Sequence, residues 1–84
     1  MAGKLGKTLQ SARHKALIEL LIAKRKEAGL TQTDLAKRLG EYQSFVARME
    51  SGQRRVDVVE FLAIAQELNI NLGYAFKKIA KAER

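Results

Sequence analysis

Apolar residues along this chain recur three and four positions apart, in blocks that glycines separate, and they nowhere alternate with polar residues over the length of a strand. Spacing of i, i+3, i+4 puts side chains on one face of an α-helix, whereas strict alternation marks a strand. The pattern predicts five helices and no sheet. The first runs from about Gln10 to Ala28, with Leu17, Leu20 or Leu21, and Ala28 at helical spacing and Gly29 at the stop position. Its block Leu17, Ile18, Leu20, Leu21 and Ile22 is apolar around more than one stripe, so a single core face cannot use all of it and a second element must cover the rest.

The other four helices have their own start and stop signals. Thr31 with Asp34 three residues on resembles a capping box with a shorter acid, and it opens a helix that carries Leu35, Ala36 and Leu39 and stops at Gly40. A third segment, Gln43 to Ser51, places Val46 and Met49 on one face and Gln43, Ser44, Ala47 and Arg48 elsewhere, and Gly52 ends it. Asp57 and Glu60 have N-cap and N3 character ahead of the stripe Val58, Phe61, Leu62, Ala65 and Leu68. Asn71 caps a fifth helix with Leu72, Tyr74, Ala75, Phe76 and Ile79, beyond which Lys81 to Arg84 are expected to fray.

Composition narrows what such a bundle does. The 84 residues leave room for one small domain. With no Cys and one His, His14, the chain has neither a disulfide framework nor the ligands of a structural zinc, so no metal and no cofactor are expected. His14 lies one helical turn from Ser11, but a nucleophile pair also needs a third, orienting group and a pocket, and the sequence offers neither. No enzyme is expected. There is no apolar run near the ~18 residues of a membrane span, no signal-peptide core and no Trp anchor, which points to a cytoplasmic protein without a membrane partner.

The charge is lopsided. Sixteen Lys and Arg against nine Asp and Glu leave +7, a balance suited to nucleic acid. Residues 1–15 hold Lys4, Lys7, Arg13 and Lys15 and no acid, and 37–55 holds five bases against Glu41 and Glu50. Residues 56–76 carry Asp57, Glu60 and Glu67 and no base, an acidic stretch expected to face away from DNA.

Only Gly40, Glu41 and Tyr42 separate the second and third helices, the short glycine-containing turn of a helix-turn-helix. Around it stand Arg25-Lys26-Glu27-Ala28-Gly29-Leu30-Thr31-Gln32, Leu35-Ala36, Leu39-Gly40, Gln43-Ser44-Phe45-Val46 and Glu50-Ser51-Gly52. Over about residues 14–72 the chain resembles the Cro/repressor-type helix-turn-helix family, often called XRE. The resemblance implies an all-α, five-helix, lambda-repressor-like DNA-binding domain over residues 10–80, with residues 1–9 as a flexible basic tail. It implies a transcriptional regulator, expected to repress as a homodimer on a pseudo-palindromic operator in double-stranded DNA. No small-molecule ligand is evident, and a chain of this length leaves no room for a separate sensor domain. The competing reading is an antitoxin, or a protein-binding module with only non-specific DNA affinity, whose partner is a toxin or another protein.

Site residues follow from the same resemblance. Gln43, Ser44, Ala47 and Arg48 match the base-reading face of the third helix, where Gln suits adenine and Arg suits guanine in the major groove. Gln32 matches a phosphate contact at the start of the second helix, helped by that helix's free amides. Arg54 and Arg55 are expected to clamp phosphates, having no acid immediately beside them in sequence. Tyr42 stands where the family often has a capping Ser or Thr, which puts the first turn of the third helix in question; its ring packs on a neighbour or its hydroxyl meets a phosphate. Phe45 fits DNA and core equally well. Arg25 and Glu50 match positions that form an internal ion pair. Ile18, Ile22, Tyr74, Phe76 and Ile79 are in excess of what one small core needs, and they are the expected dimer interface.

Overall fold

The computed structural model describes residues 11–83. The expected tail, residues 1–9, and the expected helix start at Gln10 lie outside this range. Five helices follow in order: α1 (Ala12–Glu27), α2 (Gln32–Leu39), α3 (Gln43–Glu50), α4 (Val58–Leu68) and α5 (Leu72–Lys81). No strand occurs among the described residues, and none of these helices is long and apolar enough to cross a membrane.

Local chemistry sets the boundaries. The Ser11 hydroxyl accepts from the His14 amide and caps α1, so its link to His14 is to the backbone. Thr31 and Asp34 form a complete capping box, and so do Asp57 and Glu60, each satisfying two amides that a helix start leaves open. The Asn71 side chain caps α5 through the Tyr74 amide. Tyr42 is the exception: it occupies the N-cap of α3 with no side-chain hydrogen bond and is 85% exposed, packing on nothing, yet α3 begins on schedule at Gln43. Packing of Val46 and Met49, both fully buried, supplies what the cap does not. Gly40 adopts φ 70°, a left-handed conformation that lets α2 stop and the chain turn into α3 without steric cost.

The core forms where α1, α2, α3 and α4 meet, around Leu21, Leu35, Val46, Met49 and Ile64. Helix α1 packs against both α3 and α5. These two neighbours use both of its apolar stripes, and that corrects one expectation. Ile18, expected on a free dimer face, is a core residue only 6% exposed. Ile22 is half-buried against the same core. Ala75 of α5 is fully buried, so α5 completes the monomer. Its far end is bolted to the start of α1, where Arg13 donates to the carbonyls of Ala80 and Ala82 and satisfies acceptors that a helix end leaves open. Arg13, counted among the terminal bases available to DNA, is engaged there.

Candidate nucleic-acid interface

Helices α2 and α3 pack directly on each other across the turn 40–42. A chain of polar contacts fixes how they meet. Arg25 on α1 holds Glu50 at the end of α3 with two hydrogen bonds, Nε to Oε2 at 2.6 Å and Nη2 to Oε1 at 2.9 Å. Its third nitrogen donates to the Leu30 carbonyl at 2.8 Å. Both side chains are nearly enclosed, at 10% and 6% exposure. The hydrogen bonds to Glu50 push the Arg25 guanidinium above its ordinary pKa although burial opposes the charge. The guanidinium stays charged.

Glu50 accepts a further hydrogen bond, from Gln32 Nε2 to Oε1 at 2.9 Å, and Gln32 Oε1 in turn accepts from Gln43 Nε2 at 2.8 Å. A carboxylate only accepts, so Gln32 has to turn its amino group to Glu50 and its carbonyl to Gln43. Gln43 therefore presents outward one carbonyl oxygen and one amide hydrogen, an acceptor beside a donor, which complements adenine N6 and N7. Gln32 keeps one side-chain N–H without a partner in this network. Between the two capped amides of Thr31 and Asp34, the amides of Gln32 and Thr33 have no partner inside α2 and face the same end. The capping bonds hold the Asp34 carboxyl below its usual pKa.

On the face of α3 the side chains of Ser44 and Arg48 are exposed and make no hydrogen bond or ion pair inside the described fold, while Ala47 is half-buried. Phe45 turns the other way, part-buried against the core. The guanidinium of Arg54 lies 4.3 Å from its ring centroid. Arg54 also grips Glu60 with two bonds, Nη1 to Oε1 at 2.9 Å and Nη2 to Oε2 at 2.5 Å, and donates to the Arg55 carbonyl. This differs from the free phosphate clamp expected of Arg54. An acid six residues on, delivered by the capped start of α4, satisfies it, and the pairing lowers the Glu60 pKa. Arg55 remains exposed. It stands near His14, whose Nε2 is enclosed without a hydrogen-bond partner; burial first and the Arg55 charge second push the His14 pKa down.

On the α1/α5 side, Tyr74 and Phe76 are half exposed, with Lys24 and Lys78 each 5.7 Å from the Tyr74 ring centroid. Phe76 also touches Phe61, at 5.6 Å between centroids. Ile79 is part-buried. Among the described residues no group of His, Cys, Asp and Glu is placed to hold a metal ion.

Residues 21–74 match the helix-turn-helix family. Among solved structures the chain is similar to an XRE-family like protein from Pseudomonas syringae pv. tomato str. DC3000, at 38% identity and TM-score 0.78, covering 93% of this chain and 95% of that one. This chain belongs to the XRE family of helix-turn-helix DNA-binding regulators. Its fold is also that of two crystal structures of the clp gene regulator ClgR from Corynebacterium glutamicum. One is 19% identical with TM-score 0.71, covering 81% of this chain and 72% of that one; the other is 18% identical with TM-score 0.73, covering 86% and 92%. No curated protein matches the sequence. Within the XRE frame α3 is the second helix of the helix-turn-helix, with Gln43, Ser44 and Arg48 exposed and Ala47 half-buried among them, while Arg25 and Glu50 brace it from behind.

Proposed function

We propose that this protein represses transcription by occupying a pseudo-palindromic operator as a homodimer, reading bases with Gln43, Ser44, Ala47 and Arg48. The observation that carries the reading is the Gln43 amide, locked in one orientation by Gln32 while Ser44 and Arg48 stay uncommitted beside it. A pre-set donor and acceptor on a rigid helix discriminates bases; a merely electrostatic binder has no use for one. Gln32, Tyr42 and Arg55 position the helix on phosphates, with Arg54 holding the loop that carries Arg55.

The second copy covers the half-exposed side chains of α5, Tyr74 and Phe76, with Ile79 and Ile22 at the margin. Twofold closure is the usual route for such a patch. It sets two copies of α3 in successive major grooves, with half-site centres about 34–36 Å apart or a multiple of that.

The test is duplex selection followed by competition with random duplex, and sedimentation at micromolar protein. A preference of roughly a thousandfold for a selected, twofold-symmetric site, with a dimer in solution, is the expected outcome. Equal affinity for selected and random duplex defeats the operator reading. A monomer that binds a lone half-site as tightly as the full site defeats the dimer.

A further inference from the structure

A groove lies where the end of α2, the start of α3 and α4 meet, and it shares no residue with the base-reading face. Leu39, Phe45, Val59, Ala63 and Ile64 line it, Glu41 and Glu60 stand on its rim, and its volume is about 220 Å³. Small-molecule pockets run to about 300–1,000 Å³, so this one is sized for a single long side chain rather than an effector.

The chemistry of the rim selects the side chain. Glu60 is committed to Arg54 through both carboxylate oxygens. Glu41 is exposed, and its carboxylate makes no hydrogen bond or ion pair among the described residues, although its charge reaches the Arg54 guanidinium that Glu60 holds. A carboxylate at the mouth repels phosphate, which excludes DNA as the occupant although the chain as a whole carries +7. Two carboxylates against the single Arg54 charge leave the rim one negative charge in excess, and an apolar wall ending in that excess is the complement of a long cationic side chain, whose methylene stem prefers apolar surface and whose head prefers an anion. Val59, 76% exposed, extends that wall into solvent.

We propose that this groove docks a basic segment of a protein partner by receiving one arginine, its stem against Leu39, Val59 and Ala63 and its guanidinium on Glu41. Arginine outdoes lysine here because its planar fork engages a carboxylate at two points. Phe45 places the occupant directly behind α3, and the groove shares no residue with the reading face. The inference stands apart from the operator reading, since it needs neither a palindrome nor a dimer.

The test uses the full chain with labelled Leu, Val and Ile methyl groups, titrated in NMR with the capped peptide Leu-Ala-Arg-Ala-Leu and with its counterparts carrying Gln or Glu at the centre. The arginine peptide is expected to shift the Leu39, Val59 and Ile64 methyls saturably. The glutamine peptide binds about fivefold more weakly, the order that one surface ion pair contributes, and the glutamate peptide leaves these methyls unmoved. Glu41→Gln erases the preference for arginine over glutamine while raising affinity for every duplex alike, as loss of one negative charge requires, and Ala63→Trp, at an exposed position, plugs the groove while the thermal melt stays cooperative. Equal shifts from all three peptides, no shift from any of them, or groove shifts produced by duplex alone overturn the proposal.

Discussion

Gln43 on α3 donates its side-chain amide to the carbonyl oxygen of Gln32 on α2 across 2.8 Å. That one bond makes a residue on the first helix of the motif fix the orientation of a side chain on the second, and with it, on the operator reading, what that side chain recognises. Gln32→Ala frees the Gln43 amide to rotate and is expected to reduce discrimination at one base step by about 1–3 kcal/mol, the range for a good bidentate pair. Competition among single-base variants of a selected duplex measures it. A uniform loss on every duplex would show that Gln32 serves phosphate contact alone.

On the operator reading, Arg48 supplies specificity and Arg55 general attraction. Arg48→Ala should relax preference at a single base pair, whereas Arg55→Ala should weaken all duplexes alike and make the slope of log affinity against log salt shallower by about 0.9. Binding isotherms at several salt concentrations separate the two effects, and identical behaviour of the variants contradicts the division.

Arg54→Ala is expected to act on the fold rather than on DNA charge. It removes the guanidinium from the Phe45 ring and strands the Glu60 carboxylate. The variant should melt at a lower temperature, with a salt slope close to that of the parent. An unchanged melt with a shallower slope would restore Arg54 to phosphate binding.

Removing Arg25 should be far more damaging. Glu50 is nearly enclosed, so Arg25→Ala leaves a buried carboxylate with only Gln32 to satisfy it. The expected loss is about 3–5 kcal/mol. Arg25→Ala combined with Glu50→Ala should recover part of it in urea unfolding, because no unpaired charge remains.

Stability should also fall as pH drops through the histidine range. The folded-state pKa of His14 is lowered by burial and by Arg55, so the unfolded chain takes up a proton first. The contribution is fully present above the unfolded value of about 6.5 and is lost as pH falls through the folded value. Melting temperatures between pH 7 and pH 5 should decline less steeply in His14→Gln.

Most of the architecture was legible because each helix announces its own ends: Thr31 with Asp34, Asp57 with Glu60, and Asn71 are local signals that need no tertiary context. The partners of side chains were not. Ile18 was read as surplus because helical spacing counts stripes without saying how many neighbours arrive, and α3 and α5 both do. Arg54 was read as free because its acid lies six residues on, across a loop whose path no periodicity encodes. Phe45, which sequence left open between DNA and core, lies part-buried against the core under the Arg54 guanidinium. The Glu41 groove had no sequence signal, since its walls come from three separate helices.

Ser44 and Arg48 are attached to the rest of the molecule only through their backbone, whereas Gln43 is tied by its side chain into the Arg25 cluster. Two neighbouring positions can therefore exchange residues at almost no thermodynamic penalty, while the third is anchored by the integrity of the fold. If the operator reading holds, descendants of this chain have an inexpensive route to new targets through two side chains, and every such target inherits the base that Gln43 selects.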